Sequence, residues 1–183
     1  MNRGIISPWY QRTVDEHRGE LFGLLKKGDL LEFERDTFCH WAVFMGEFET
    51  IDQENCLFSS PMVAHKSNPI YNGAVNTVSA STRSERGRSP GGVLGGVGSV
   101  CIEPLDDVWK HSRMRLNNSV DNTTPPFDAQ TIVDRAMDVV NGRIRSTSYD
   151  ILNSNCEHFA TYVRSGNGVS EQINRIKGNC IIF

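Results

Sequence analysis

The chain has no C-x-x-C pair. Its five cysteines, Cys39, Cys56, Cys101, Cys156 and Cys180, are odd in number and widely spaced, which argues against a zinc ribbon or a redox dithiol and makes free thiols the expectation. Basic charge is not in excess: 19 Lys and Arg stand against 22 Asp and Glu, a net charge of −3. No broad positive field is available to draw in nucleic acid, which is not expected as a partner. No apolar run reaches the ~18–20 residues of a membrane span. Arg3, Arg12, Asp15, Glu16, His17, Arg18 and Glu20 interrupt the apolar centre that a secretory signal would need. The expected location is therefore the cytosol or a membrane face turned toward it. Two N-x-S/T sequons, at Asn117 and Asn122, read as ordinary sequence in that setting. The glycine cluster over 91–98 has neither the G-x-G-x-x-G register nor the Lys-Ser ending of a phosphate cradle, so no nucleotide cofactor is expected.

At 183 residues the chain can bury one core without disulfide staples. We divide it into an N-terminal extension over 1–20, a folded domain over 21–166 and a tail over 167–183. Residues 21–25 read as a short amphipathic turn. Alternation predicts a strand over 29–35, and an aromatic-rich apolar run predicts a second over 40–46, ended by Gly46. The four residues between them suit a hairpin. A third strand is expected at 57–65 after a polar hairpin arm, then a mobile, Ser/Arg/Gly-rich loop over 79–98, a strand at 100–102 and a short helix from Leu105. Asp128 after Pro125-Pro126 should cap a helix carrying Ile132, Val133, Ala136, Met137, Val139 and Val140, closed by Gly142. After a linker or strand over 146–152, Asn153, Ser154 and Asn155 offer caps for a last helix closed by Gly166.

Cys156 falls in the first turn of that last helix, where unpaired amides and the helix dipole favour an anion and should lower the thiol pKa below its ordinary ~8.5. A thiol there is a candidate nucleophile, although a packed structural cysteine is the other reading. His40, at the start of an apolar strand, is a candidate base. His65, at the end of another, is a candidate to orient it. His158 lies two residues from Cys156, which turns it away on a helix, and reads as structural.

These residues carry a resemblance. Gly28-Asp29-Leu30-Leu31-Glu32, His40-Trp41-Ala42-Val43-Phe44-Met45-Gly46, Asn117-Asn118, and above all Asn155-Cys156-Glu157-His158-Phe159 with Arg164-Ser165-Gly166 resemble the lecithin:retinol acyltransferase-like family. The similarity is closer to its HRAS-like suppressor branch of phospholipid-metabolising acyltransferases. The resemblance makes 21–166 the catalytic domain. It implies an α+β fold, a circularly permuted relative of the papain-like NlpC/P60 thiol hydrolases, with an antiparallel sheet packed against helices and the cysteine at a helix N-terminus. It also implies Cys156 as nucleophile, His40 as base, and no metal or cofactor.

The family's second histidine follows the first by about a dozen residues. Here that position is Asp52, while the family's local sequence recurs at Val63-Ala64-His65. His65 behind an insertion is preferred, with Asp52 as the substitute. The chain ends Cys180-Ile181-Ile182-Phe183, the form of a C-a-a-X prenylation site at Cys180; the other reading is the start of a hydrophobic tail.

The expected activity is a thiol acyltransferase or phospholipase A acting on a phospholipid membrane and an acyl-acceptor lipid, through a thioester on Cys156. Two rival expectations remain open: a catalytically silent membrane scaffold, and an NlpC/P60-type peptidase or amidase.

Overall fold

The computed structural model describes residues 2–51, 57–66, 100–144 and 155–170. Asp52, the loop over 79–98, the linker over 146–152 and the Cys180 tail lie outside them. Six antiparallel strands form one sheet: β1 (Tyr10–Gln11), β2 (Leu30–Glu34), β3 (Cys39–Ile51), β4 (Leu57–Lys66), β5 (Val100–Pro104) and β6 (Arg113–Leu116), in the order β1-β6-β2-β3-β4-β5. The helices are α1 (Asp15–Leu24), α2 (Leu105–Trp109), α3 (Ala129–Val140) and α4 (Cys156–Ser165). The architecture is α+β with an antiparallel sheet, as expected.

Hairpin formation follows the reading of β2 and β3: Leu30 pairs with Val43 and Phe33 with His40, and the Arg35 amide donates to the Phe38 carbonyl at 3.0 Å to close the turn. Two local expectations are corrected. Residues 21–25 are not an isolated turn but mostly the end of α1, which starts six residues earlier. Asp15 and Glu16 begin that helix and favour its positive end, a signal hidden because only Leu21 of α1 is fully buried. Gly46 does not end β3: the register shifts between Phe44 and Gly46, and the strand runs on to Ile51. Its φ of +95° lets glycine absorb the bulge, so the glycine marks an irregularity inside a strand.

Strand alternation splits the core into two clusters, one on each face of the sheet. Trp41, Val43, Met45 and Ala64 face α3 and α4, joining Ile132, Ala136, Phe159, Ala160 and Val163. Phe33, Ala42, Phe44 and Val63 face the other way, toward Leu21 of α1 and Leu105, Val108 and Trp109 of α2. Because both faces of β2 are covered, its first four residues are all buried.

The last two helices follow the capping logic closely. The Asp128 side chain accepts from the Thr131 amide, and the Asn155 side chain accepts from the His158 amide. Gly166 ends α4 at φ +83°, and a Cβ there would lie 3.2 Å from the Phe127 ring. Gly166→Ala is therefore expected to cost about 1–2 kcal/mol for the left-handed backbone, read as a lower midpoint in urea unfolding with unchanged slope.

Arg164 pins α4 to the rest of the fold. Its fully buried guanidinium donates through Nε and Nη2 to both carboxylate oxygens of Asp121, each at 2.7 Å, and to the carbonyls of Gly28 at 2.6 Å and Asn2 at 2.9 Å. Asp29 lies 3.8 Å away and accepts from the amide of Asn118. The sequon residue Asn117 is itself buried and donates to Glu32 at 2.7 Å, so its amide is not available for a glycan.

Candidate active site

Cys156 is the first residue of α4, held there by the Asn155 cap. Its sulfur donates to the Cys39 carbonyl at 3.7 Å and receives the Trp41 backbone amide when charged, so it touches the strand on either side of His40. Strand geometry explains why this backbone is open. In β3 the N–H and C=O groups of 39 and 41 point toward the β4 side, yet the β3–β4 ladder stops at Ala42↔His65. The His40 side chain lies on the face opposite Trp41.

The two histidines are brought together. His40 Nε2 lies 3.0 Å from His65 Nδ1, with the rings edge to face at 86° and 5.0 Å between centroids. This pairing crosses 25 residues of sequence and arises because β4 folds back beside β3. His65 Nε2 in turn lies 3.1 Å from Glu103 Oε2. Cys101 pairs directly with His65, and Glu103 is its diagonal neighbour on the same face of β5.

Hydrogen-bond order assigns the tautomers. A carboxylate only accepts, and the His65 hydrogen bond holds the Glu103 carboxyl below its usual range. A neutral His65 that donates from Nε2 to this carboxylate accepts at Nδ1, and His40 then donates from Nε2. The lone pair of His40 is then on Nδ1, the ring nitrogen nearer its own backbone. Among the described residues no hydrogen bond yet joins sulfur to imidazole.

Sequence reasoning overlooked Glu103. A glutamate two residues after Cys101 in a strand, sharing its inward face, was the available signal; the β4–β5 register that gives it meaning is not local. The His158 Nδ1 lies 2.9 Å from the Asn155 side chain.

The thiol is not lowered as the helix start alone suggests. Burial pushes the Cys156 thiol above the ordinary thiol range, and the nearby Glu157 adds to this; the amides of Trp41, Glu157 and Cys156 pull the other way without winning. Burial also pushes His40 well below 6.5, helped by His65, Arg35 and Lys110. At neutral pH Cys156 is therefore a thiol and His40 a neutral imidazole. Two measurements follow. Iodoacetamide alkylation of Cys156 should show a midpoint above pH 9. The acid limb of kcat/KM should lie below pH 6.5, because the base form of His40 persists there. By the same shift, folded-state stability is full above the unfolded histidine value and falls as pH drops through the lower folded one.

A cavity of about 180 Å³ opens beside the sulfur's strand contacts, lined by Glu32, Cys39, Trp41, Arg115, Glu157 and Thr161 among others. It is smaller than the ~300 Å³ of a typical small-molecule site, and Cys156, His40 and His65 are not among the residues that line it.

A family model described as Lecithin retinol acyltransferase matches residues 24–169. The chain is 32% identical over 148 residues to Phospholipase A and acyltransferase 1 of Homo sapiens, covering 81% of this chain and 72% of that protein. Its similarity to Phospholipase A and acyltransferase 1 of Rattus norvegicus is 30% over 151 residues, covering 82% and 74%. With Phospholipase A and acyltransferase 4 of Homo sapiens the identity is 29% over 153 residues, covering 83% and 77%.

Proposed function

The chain belongs to the lecithin retinol acyltransferase family, and on that premise we propose that it is a thiol-dependent phospholipase A and acyltransferase of glycerophospholipids. The observation that carries the reading is the ordered chain Glu103–His65–His40, one residue along β3 from the Cys39 carbonyl on which the Cys156 sulfur rests.

In the proposed reaction an ester carbonyl displaces the weak Cys39 contact. His40 Nδ1 takes the thiol proton as the sulfur attacks, and the imidazolium is stabilised through His65 and Glu103. Charge on the tetrahedral oxygen is met by the amides at the start of α4 and by the field of Arg35 and Lys66, both of which feel charge at the sulfur. The C–O bond breaks, the alcohol leaves with the proton from His40, and a thioester remains on Cys156. Water or an amine or hydroxyl acceptor then gives its proton to His40, attacks the thioester and regenerates the thiol. Because the resting sulfur is protonated, ionisation is coupled to attack.

The strand-before-helix order of His40, His65 and Cys156 also supports the circularly permuted papain-like arrangement. We place the protein at a cytosol-facing membrane, with prenylation of Cys180 as its anchor; a single chain anchors only reversibly, so a second contact with the surface is required. Burial of a protonated sulfur is the observation that favours the rival scaffold reading. Incubation of the full chain with isotopically labelled phosphatidylcholine, followed by peptide mass spectrometry, separates the two. An acyl adduct on Cys156 is expected; folded protein that never acquires it would sink the enzyme reading.

A further inference from the structure

His65, Cys101 and Glu103 place one imidazole nitrogen, one sulfur and one carboxylate oxygen within 4.8 Å of one another. His65 Nε2 lies 3.1 Å from Glu103 Oε2 and 3.5 Å from Cys101 Sγ. Tetrahedral zinc with bonds of about 2.0–2.2 Å to N and O and about 2.3 Å to S sets its ligand atoms roughly 3.3–3.6 Å apart. The two separations from His65 Nε2 are therefore within a few tenths of an ångström of the edges of such a site, and the third, between Cys101 and Glu103, is at most 4.8 Å. Their donor set is mixed and includes a thiol, which selects zinc over magnesium or calcium, whose ligands are oxygens. All three sit on adjacent paired strands, β4 and β5, so little ordering is needed. His65 is buried, while the Glu103 side chain is 26% exposed and leaves a route in. The other nitrogen of His65 already faces His40, as the second nitrogen of a metal-bound histidine usually faces an acceptor.

We propose that His65, Cys101 and Glu103 form a zinc site whose occupation turns the catalytic histidine pair into its inactive tautomer. Binding uses the lone pair of His65 Nε2, so its proton must move to Nδ1. That N–H donates to His40 Nε2, which gives up its own proton, and His40 Nδ1 becomes N–H. Each ring still carries one proton, Cys101 loses one to solvent, and Glu103 exchanges its histidine contact for the metal. The lone pair that would accept the Cys156 proton is gone. The inhibitory half of this inference rests on the thioester reading; the metal site does not.

The test uses full-length protein carrying Cys156→Ala, so that the nucleophile cannot bind metal. Titration with Co2+ should give one equivalent of a tetrahedral visible spectrum with a thiolate-to-cobalt charge-transfer band, bleached by Zn2+. Adding Cys101→Ala, or Cys101→Ser as a second variant, should abolish that band and weaken binding at least tenfold. A missing band in the parent, or one that survives both variants, overturns the site. In protein with Cys156 intact, Zn2+ should suppress acylation by labelled phosphatidylcholine at least tenfold, reversibly with chelator. Acylation that proceeds unchanged at a zinc concentration saturating the site overturns the tautomer switch. Failure of the thioester reading is seen separately, as absent acylation in chelator-treated protein while the cobalt band is intact.

Discussion

Cys156→Ala is expected to lower phospholipid turnover by ~10⁴-fold or more, because removal of a nucleophile leaves only binding and charge stabilisation in a site whose parts act together. His40→Ala should fall within about tenfold of it, and the double variant should be little worse than either. Near-equality of single and double variants distinguishes a nucleophile and its base from two residues that each merely shape the pocket. Cys156 is a buried residue of the core and His40 the partner of buried His65, so circular dichroism and urea midpoints are measured for each variant and turnover is compared per folded protein. Turnover in Cys156→Ala within tenfold of the native rate would end the proposal that this sulfur carries the acyl group.

Arg164→Met is expected to destabilise the protein by about 3–5 kcal/mol, the cost of leaving buried charge without its partner. Asp121 and Asp29 are 3% and 0% exposed in their side chains, so neither carboxylate can recover its lost partner from water. Arg164→Lys should recover only part of the loss, since an ammonium cannot reproduce the two parallel bonds to Asp121 while also reaching the Gly28 and Asn2 carbonyls. Equilibrium urea unfolding at pH 7 measures both. A loss below about 1 kcal/mol for Arg164→Met would mean that the network is tolerated and does not hold α4 in place. Activity should fall with folded fraction alone, because Arg164 sits at the far end of α4 from Cys156.

The helices near the site were legible because their signals are local. Asp128 and Asn155 cap by bonding amides three residues away, and Gly142 and Gly166 supply positive φ where each helix ends. The hairpin between β2 and β3 was equally readable, since a four-residue connection between apolar runs leaves few alternatives. The start of α1 was not, because only Leu21 in it is fully buried and no side chain caps it. Gly46 misled because a glycine in a strand can stop it or bulge it, and only the pairing partner decides.

What the sequence determined by itself was three candidate members of the site and the local frame of each: a cysteine at a helix start, a histidine opening one strand, a second closing another. These follow from capping, periodicity and motif, which act over a few residues. What only the tertiary structure decided was how the parts act on one another. The fold-back of β4 joined His40 to His65, the β4–β5 register supplied Glu103 and Cys101, and burial under α4 turned an expected thiolate into a protonated thiol. Register and desolvation depend on chain segments far apart in sequence, and a dipole read from one helix cannot reveal how much water the rest of the fold removes.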